Sequence, residues 1–531
     1  MTMQRLNRRQ LMGTGAAMAG GLALGGGIRP GRLSAQTPPA RQYSGQIVIA
    51  ILGGEAAEEP ARQAVVDAYR ALQPDVDVLW EPQDLEAAEY TTFLGTLLSA
   101  GDIREDIVSG NYQSEFRGYV NFDEYRVNVN QYTGQTWDQD LNWDFFRAVN
   151  ASGERIMLPT RSVHINWFYN QDLFEQAGVT APTNWTEFAS ACAALMEAGV
   201  TPIAGNYDFQ IPQWFAEVYF DQYHVNWIET VRAQPGDWSY DPALDDAYTG
   251  DFTDPFIHNT YTYSPQRFLA AVRDGVLRFD TPEVTDIMRN MSAIFPEYAT
   301  GDFYVIQGDA MYNAFLQQQV AIMPSGTWTL TSLAQDLESL TPERIAQLEL
   351  PEGTEISAFN WGTFENPTME GELVKSPVRS VESATGEYLS VVNKNQEQTD
   401  MVLGFLQFFT SSAGYQSWID AQDALSIAFA PSGPVEVRNV TDPPEIQELF
   451  SQVSLIGNAE VNYTGFWTAP ATGNIMQDAR NLFKEGLDGS LTPEEYATAI
   501  QSYITDNFDA ILESTGLTAA DLDDPSRQPG T

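Results

Sequence analysis

Between residues 46 and 109, short β-branched runs alternate with helical stretches, and this alternation narrows the possible folds more than any other feature of the chain. QIVIAIL at 46–52 halts at Gly53 and Gly54 and gives way to a helical pattern over 61–72. VDVLW at 76–80 reads as a second strand, 90–99 as a helix and DIVS at 106–109 as a third strand. Parallel strands cannot be joined by a tight turn and need a crossover, usually a helix, so this order predicts βαβ units on a largely parallel sheet. Ligands of such sheets gather beyond the carboxyl ends of the strands, which points to the loops at 53–59 and 109–115. With 531 residues, 43% of them hydrophobic, the chain has material for two or more lobes rather than one core.

The first 36 residues differ from the rest. NRRQLM at 7–12 precedes a glycine- and alanine-rich apolar run to Ile28, and no acidic residue occurs before Glu55. A charged start, a weakly apolar run and a small residue at Ala35 describe an export signal, and the adjacent Arg8 and Arg9 favour the twin-arginine route. The run is too glycine-rich for a good bilayer span, so cleavage is expected, with retention as an uncleaved anchor the alternative. Residues 37–44, with Pro38 and Pro39, read as a linker and 521–531 as a tail. The expected location is periplasmic or extracellular. Cys192, the only cysteine, sits in an alanine-rich helical pattern far from the signal, where it suits burial and cannot carry a lipid.

The formal charge is −45, and removal of residues 1–36 leaves 22 basic against 72 acidic residues. Such a chain repels nucleic acid and anionic membrane surfaces, so neither is expected as a partner. No P-loop, HExxH, CxxC or GxSxG motif occurs. His164, His224 and His258 are widely spaced and lie among apolar or aromatic neighbours, which suits core or surface roles. Asp245, Asp246, Asp251 and Asp254 lack the twelve-residue calcium-loop pattern and read as a solvated acidic loop, inside an irregular insertion over 221–264. Neither a metal nor a cofactor is expected, and no catalytic residue stands out.

Rings beside flexible or polar residues are the more informative class. Tyr112 follows Asn111 and precedes Gln113, Tyr207 follows Asn206, Trp214 follows Gln213, and Trp328 ends the run SGTW; Trp361, Tyr388 and the stretch 463–467 are similar. A pyranose presents an apolar C–H face that stacks on such rings and hydroxyls that need amide or carboxylate partners. Together these positions tilt towards a carbohydrate cleft, although any one ring could be core.

Three ordered blocks carry a resemblance. YNQDLFEQAG at 169–178 with PTNWTE at 182–187, FLQQQVAIM at 315–323 running into SGTW, and FLQFFTS at 405–411 with YQSW at 415–418 resemble the family 1 extracellular solute-binding proteins, the class that includes maltose-binding protein. The resemblance spans roughly residues 45–510. It implies an α/β, two-lobed periplasmic-binding-protein type II fold with crossing hinge strands. The first lobe would comprise 45–165 and 327–389, and the second 166–326 and 390–520. Crossings are expected near 166–169, 323–328 and 388–392. It implies a monomeric, non-enzymatic receptor that captures a small polar solute, a mono- or oligosaccharide, and docks to ABC-transporter membrane subunits. The implied contacts are Glu55, Asn111, Tyr112 and Gln113 in the first lobe, Tyr207 and Trp214 in the second, Trp328 at the crossing turn, and Asn166, Trp361 and Tyr388. Departures from the family are extra length in 221–264 and 416–460 and the missing lipid anchor. A secreted carbohydrate-active enzyme and a receptor for a non-sugar such as a polyamine are the competing expectations.

Overall fold

The computed structural model describes residues 41–529, apart from 54–58, 84, 86, 102, 111–115, 144–153, 206, 208–209, 307, 352–353, 385–388, 425–430 and 460–462. The strands, in chain order, are β1 (Gly45–Ala50), β2 (Val76–Trp80), β3 (Ile107–Ser109), β4 (Ser162–Asn170), β5 (Thr201–Ile203), β6 (Val320–Gly326), β7 (Trp361–Phe364), β8 (Val381–Ala384) and β9 (Leu389–Val391). Among the helices are α1 (Glu59–Leu72), α2 (Ala87–Ser99), α3 (Gln171–Ala177), α4 (Trp185–Glu197), α5 (Ala216–His224), α6 (Gly308–Leu316), α7 (Trp328–Glu338), α8 (Gln396–Phe409), α9 (Ser412–Ala424), α10 (Gly473–Leu487) and α11 (Pro493–Asp506).

The predicted βαβ start is present. β1 pairs in parallel with β2 and β3, and antiparallel β9 completes a sheet of order β2-β1-β3-β9. Ile47 and Ile49 of β1 meet Val65 and Tyr69 of α1 in its core. The second sheet runs β5-β6-β4-β7, with β8 also paired to β4. One face of β4 puts Ile165 and Trp167 into a large core with Phe188, Phe215, Phe220 and Phe483. The other face puts Phe168 against Phe315, Met323 and Leu330.

The two cores divide the chain differently from the expected segments. α8 and α9 pack on the first sheet through Phe405, Phe409 and Trp418, the last stacked on Trp80 at 5.5 Å, so 390–424 belongs with the first lobe. α7, β7 and β8 pack in the second, so most of 327–384 belongs there. The reason is connectivity: β9 lies on the edge of the first sheet and runs directly into α8, whose apolar face must cover the sheet that β9 extends. Periodicity shows that a helix has an apolar face, but not which sheet that face covers.

Among the described residues the lobes are joined near 158–163 and 433–443, whereas the expected 166–169 lies inside the second sheet and 323–328 runs from β6 of that sheet into α7. These crossings are themselves zipped together. Leu158 and Leu389 exchange backbone bonds of 3.1 and 3.2 Å, Ser162 N–H donates to Pro434 O at 2.9 Å, and Glu436 N–H donates to Thr160 O at 2.8 Å.

Local chemistry explains the first block of the resemblance. Asn170 ends β4 and caps α3 by accepting from Leu173 N–H at 3.0 Å, and Gly178 stops that helix at φ 71°, a left-handed geometry suited to glycine. Thr492 and Glu495 form a capping box at the start of α11. Cys192 is fully buried in α4.

The stretch 221–264 is more ordered than expected. It begins as the end of α5 and continues in short turns around a small core of Val225, Ile228, Ile257 and Tyr261. Asp245 is buried rather than solvated, accepting from Asp241 N–H at 2.9 Å and Thr262 N–H at 2.7 Å. His258 bridges Tyr261 and Asp221, both at 2.9 Å. His224 stacks on Phe220, and burial lowers its pKa to about 3, so the ring is neutral. The expected tail is docked through 529: the buried Gln266 side chain donates to Asp521 O at 2.8 Å and Arg527 O at 3.2 Å. Among the described residues, no helix is long and apolar enough to cross a membrane.

Candidate functional site

β5 and β6 are parallel, and their carboxyl ends lead into two loops, 204–215 and 326–328. In an open α/β sheet that edge is where ligands collect. The second loop begins α7, and the Trp328 ring folds back over Gly326, where any Cβ would collide with it. The first loop ends in a π-helical turn, Ile211–Phe215, that carries Trp214. Single π turns widen the helix locally and recur at functional sites. The Trp214 and Trp328 rings lie 6.0 Å apart, tilted by 50°. Two loops distant in sequence thus bring a part-exposed indole, Trp328, against a buried one, Trp214.

Glycine at 326 is what lets the ring lie there. Gly326→Ala is expected to push Trp328 off its place, which near-UV circular dichroism will register as a changed aromatic band while the far-UV spectrum stays as in the wild type. An unchanged aromatic band would mean that the ring does not rest on this glycine.

The other implied contacts fare differently. Tyr207 lies in the loop after β5, but its ring packs among Phe303, Tyr304 and Phe483 and its hydroxyl donates to Arg480 O, so it is a core residue supporting this edge. Burial raises its phenol pKa far above the ordinary value. Arg480 in turn donates to Gln213 Oε1 at 3.3 Å, next to Trp214. Asn166 is buried on β4 opposite Ser325, with neither amide atom hydrogen-bonded to the described residues. Ser325 Oγ is bonded to Thr329 Oγ1 at 2.6 Å.

Trp361 does not join this group. It pairs with Asn170, four positions along β4 from Asn166 and therefore roughly 13 Å away, and its ring packs on Phe168. Tyr463 and Trp467, read as loop rings, are fully buried core. Glu55, Asn111, Tyr112, Gln113 and Tyr388 lie outside the described residues.

Sequence reasoning missed the polar groups at the crossings. Arg161 is buried; it donates to Asp442 at 2.8 and 3.2 Å, to Gly433 O at 2.7 Å and to the Tyr415 hydroxyl at 3.1 Å. His164 faces Glu382 across β4 and β8 at 3.1 Å. Glu436 accepts from Asn142 Nδ2 at 2.8 Å, and burial still pushes its carboxyl above the usual range. Only Gly433-Pro434 hinted at a tight turn here.

A carboxyl with a raised native pKa stabilises most below its unfolded value and loses that contribution as pH rises through the native value. Glu436→Gln is therefore expected to raise the urea midpoint relative to wild type at pH 7.5, with the two converging near pH 4. A difference between the two proteins that did not change with pH would show that Glu436 titrates normally.

Among the described residues, no group of three or more His, Cys, Asp or Glu side chains is placed to hold a metal ion. The part-exposed Trp328 indole beside the buried, unbonded Asn166 amide on the paired strand suits recognition of a polar molecule with an apolar face.

Residues 53–416 match the family profile of the bacterial extracellular solute-binding proteins, and the chain belongs to that family. A search of curated proteins gave no match. Among solved structures, the fold is similar to a chitin oligosaccharide binding protein, at 15% identity and TM-score 0.56, covering 89% of this chain and 99% of that one. It is similar to the cyclic alpha-maltosyl-1,6-maltose binding protein of Arthrobacter globiformis, at 14% identity and TM-score 0.54, covering 88% and 99%. RafE of Streptococcus pneumoniae follows at 15% identity and TM-score 0.52, covering 88% and 99%. The architecture is thus the two-lobed type II periplasmic-binding-protein fold.

Proposed function

We propose that this solute-binding protein is the receptor of an ABC importer and that its solute is a sugar, a mono- or oligosaccharide captured between the lobes without chemical change. The observation that carries the reading is the Trp214–Trp328 pair at the carboxyl edge of β5 and β6. Indole faces match the C–H face of a pyranose, and binding between lobes that then close signals occupancy to a membrane partner. RafE has been solved in complex with raffinose, and the two other neighbours are named for binding oligosaccharides. That habit supports a neutral saccharide here. Asn166 and, from the first lobe, Glu55, Asn111, Tyr112, Gln113 and Tyr388 would supply polar contacts. The receptor would act as a monomer after export by the twin-arginine route.

A thermal-shift screen of the mature chain against neutral oligosaccharides, polyamines and sugar phosphates tests the reading. A neutral saccharide is expected to raise Tm and to be recovered intact by chromatography. A rise with a polyamine alone would remove the sugar, and released products would make the protein an enzyme.

A further inference from the structure

Thr327 occupies the N-cap of α7, where a threonine hydroxyl ordinarily accepts from an amide of the first turn. Here it makes no such bond. Its residue is buried, and its Oγ1 instead donates to Ser432 O at 2.7 Å, on the segment that crosses between the lobes, while accepting from His164 N–H at 3.3 Å. Its own N–H donates to His164 O at 3.0 Å. One side chain therefore ties three things together: the turn that carries Trp328, the start of β4 just after one crossing, and the 432–433 bend of another. Packing closes the same knot. A Cβ on Gly433 would lie 2.8 Å from Thr327 Oγ1 and collide with Ser162 O.

We propose that Thr327 is a positioning residue that couples the ring-bearing turn 326–328 to the lobe-crossing segment at Ser432 and Gly433, so that displacement of Trp328 shifts the balance between open and closed lobes. The latch stands on bonds within the protein alone. Its link to solute capture rests on the reading of Trp328 as solute-facing. Within an assembly whose lobes close on a ligand, a contact that differs between open and closed states sets their populations.

The test separates the two. Gln63→Cys on the first lobe and Glu175→Cys on the second are exposed and can carry spin labels, while buried Cys192 gives little background. Inter-lobe distances are measured by pulsed electron resonance on the full mature chain without any solute. Thr327→Val, which keeps the shape and removes the hydroxyl, is expected to shift and broaden the distance distribution, and Thr327→Ser is expected to restore it. Trp328→Ala should shift the distribution in the Thr327 background and have no further effect in the Thr327→Val background. Distributions for Thr327→Val that superimpose on wild type, whatever its Tm, would overturn the latch. If Thr327→Val does not fold, a Thr327→Ser distribution unlike that of wild type, or a Trp328→Ala shift of zero in the native background, would overturn it equally. A failed sugar screen leaves these outcomes unaffected.

Discussion

Trp328→Ala is expected to weaken saccharide binding by about tenfold or more, equivalent to roughly 1.4 kcal/mol or more, while leaving the fold intact. The loss comes from the stacking face itself. The ring is half-buried, lies on Gly326 and meets Trp214 at 6.0 Å, so it is a preorganised surface rather than a side chain that must be ordered on binding. Because it is only half-buried, its removal leaves a smaller cavity than a core tryptophan would, and far-UV circular dichroism should match wild type. Titration calorimetry with the saccharide that raises Tm is the measurement. Unchanged affinity would take Trp328 out of the cleft.

Arg161→Met is expected to have the largest effect on stability, about 3–5 kcal/mol, read from the denaturant midpoint. The guanidinium is buried at a crossing and holds Asp442, Gly433 O and the Tyr415 hydroxyl together. Its loss leaves the Asp442 carboxylate buried opposite an apolar side chain. The cost is mostly that uncompensated charge, so Arg161→Met combined with Asp442→Leu should recover much of it. A single variant within about 0.5 kcal/mol of wild type, as for an ordinary surface substitution, would mean that the pair does not hold the crossing.

The local grammar of this chain was easy to read, and its long-range assembly was not. Alternating runs at 46–109 revealed the first sheet because strand and helix periods differ. What escaped were facts that depend on which distant segment arrives next. The helices at 396–424 carry an apolar face, yet only the pairing of β9 beside β3 decides that they cover the first sheet. Tyr207 and Trp214 looked alike as loop rings. The structure separates them, because one hydroxyl finds Arg480 O and one indole finds Trp328. Trp361 lies apart from them for the same reason, since which β4 residue it faces from β7 depends on register. Arg161 and Thr327 carry no motif, and their partners lie 281 and 105 residues away.

Capture of a neutral sugar by the two lobes at the Trp214–Trp328 edge, as proposed, is tested by titration calorimetry of the mature chain with raffinose, maltose-type and chitin-type oligosaccharides. Saturable binding to at least one of them, at one site per chain and weakened in Trp328→Ala, is the predicted result. Absence of heat with every neutral saccharide, alongside saturable binding of a polyamine or a sugar phosphate, would contradict it.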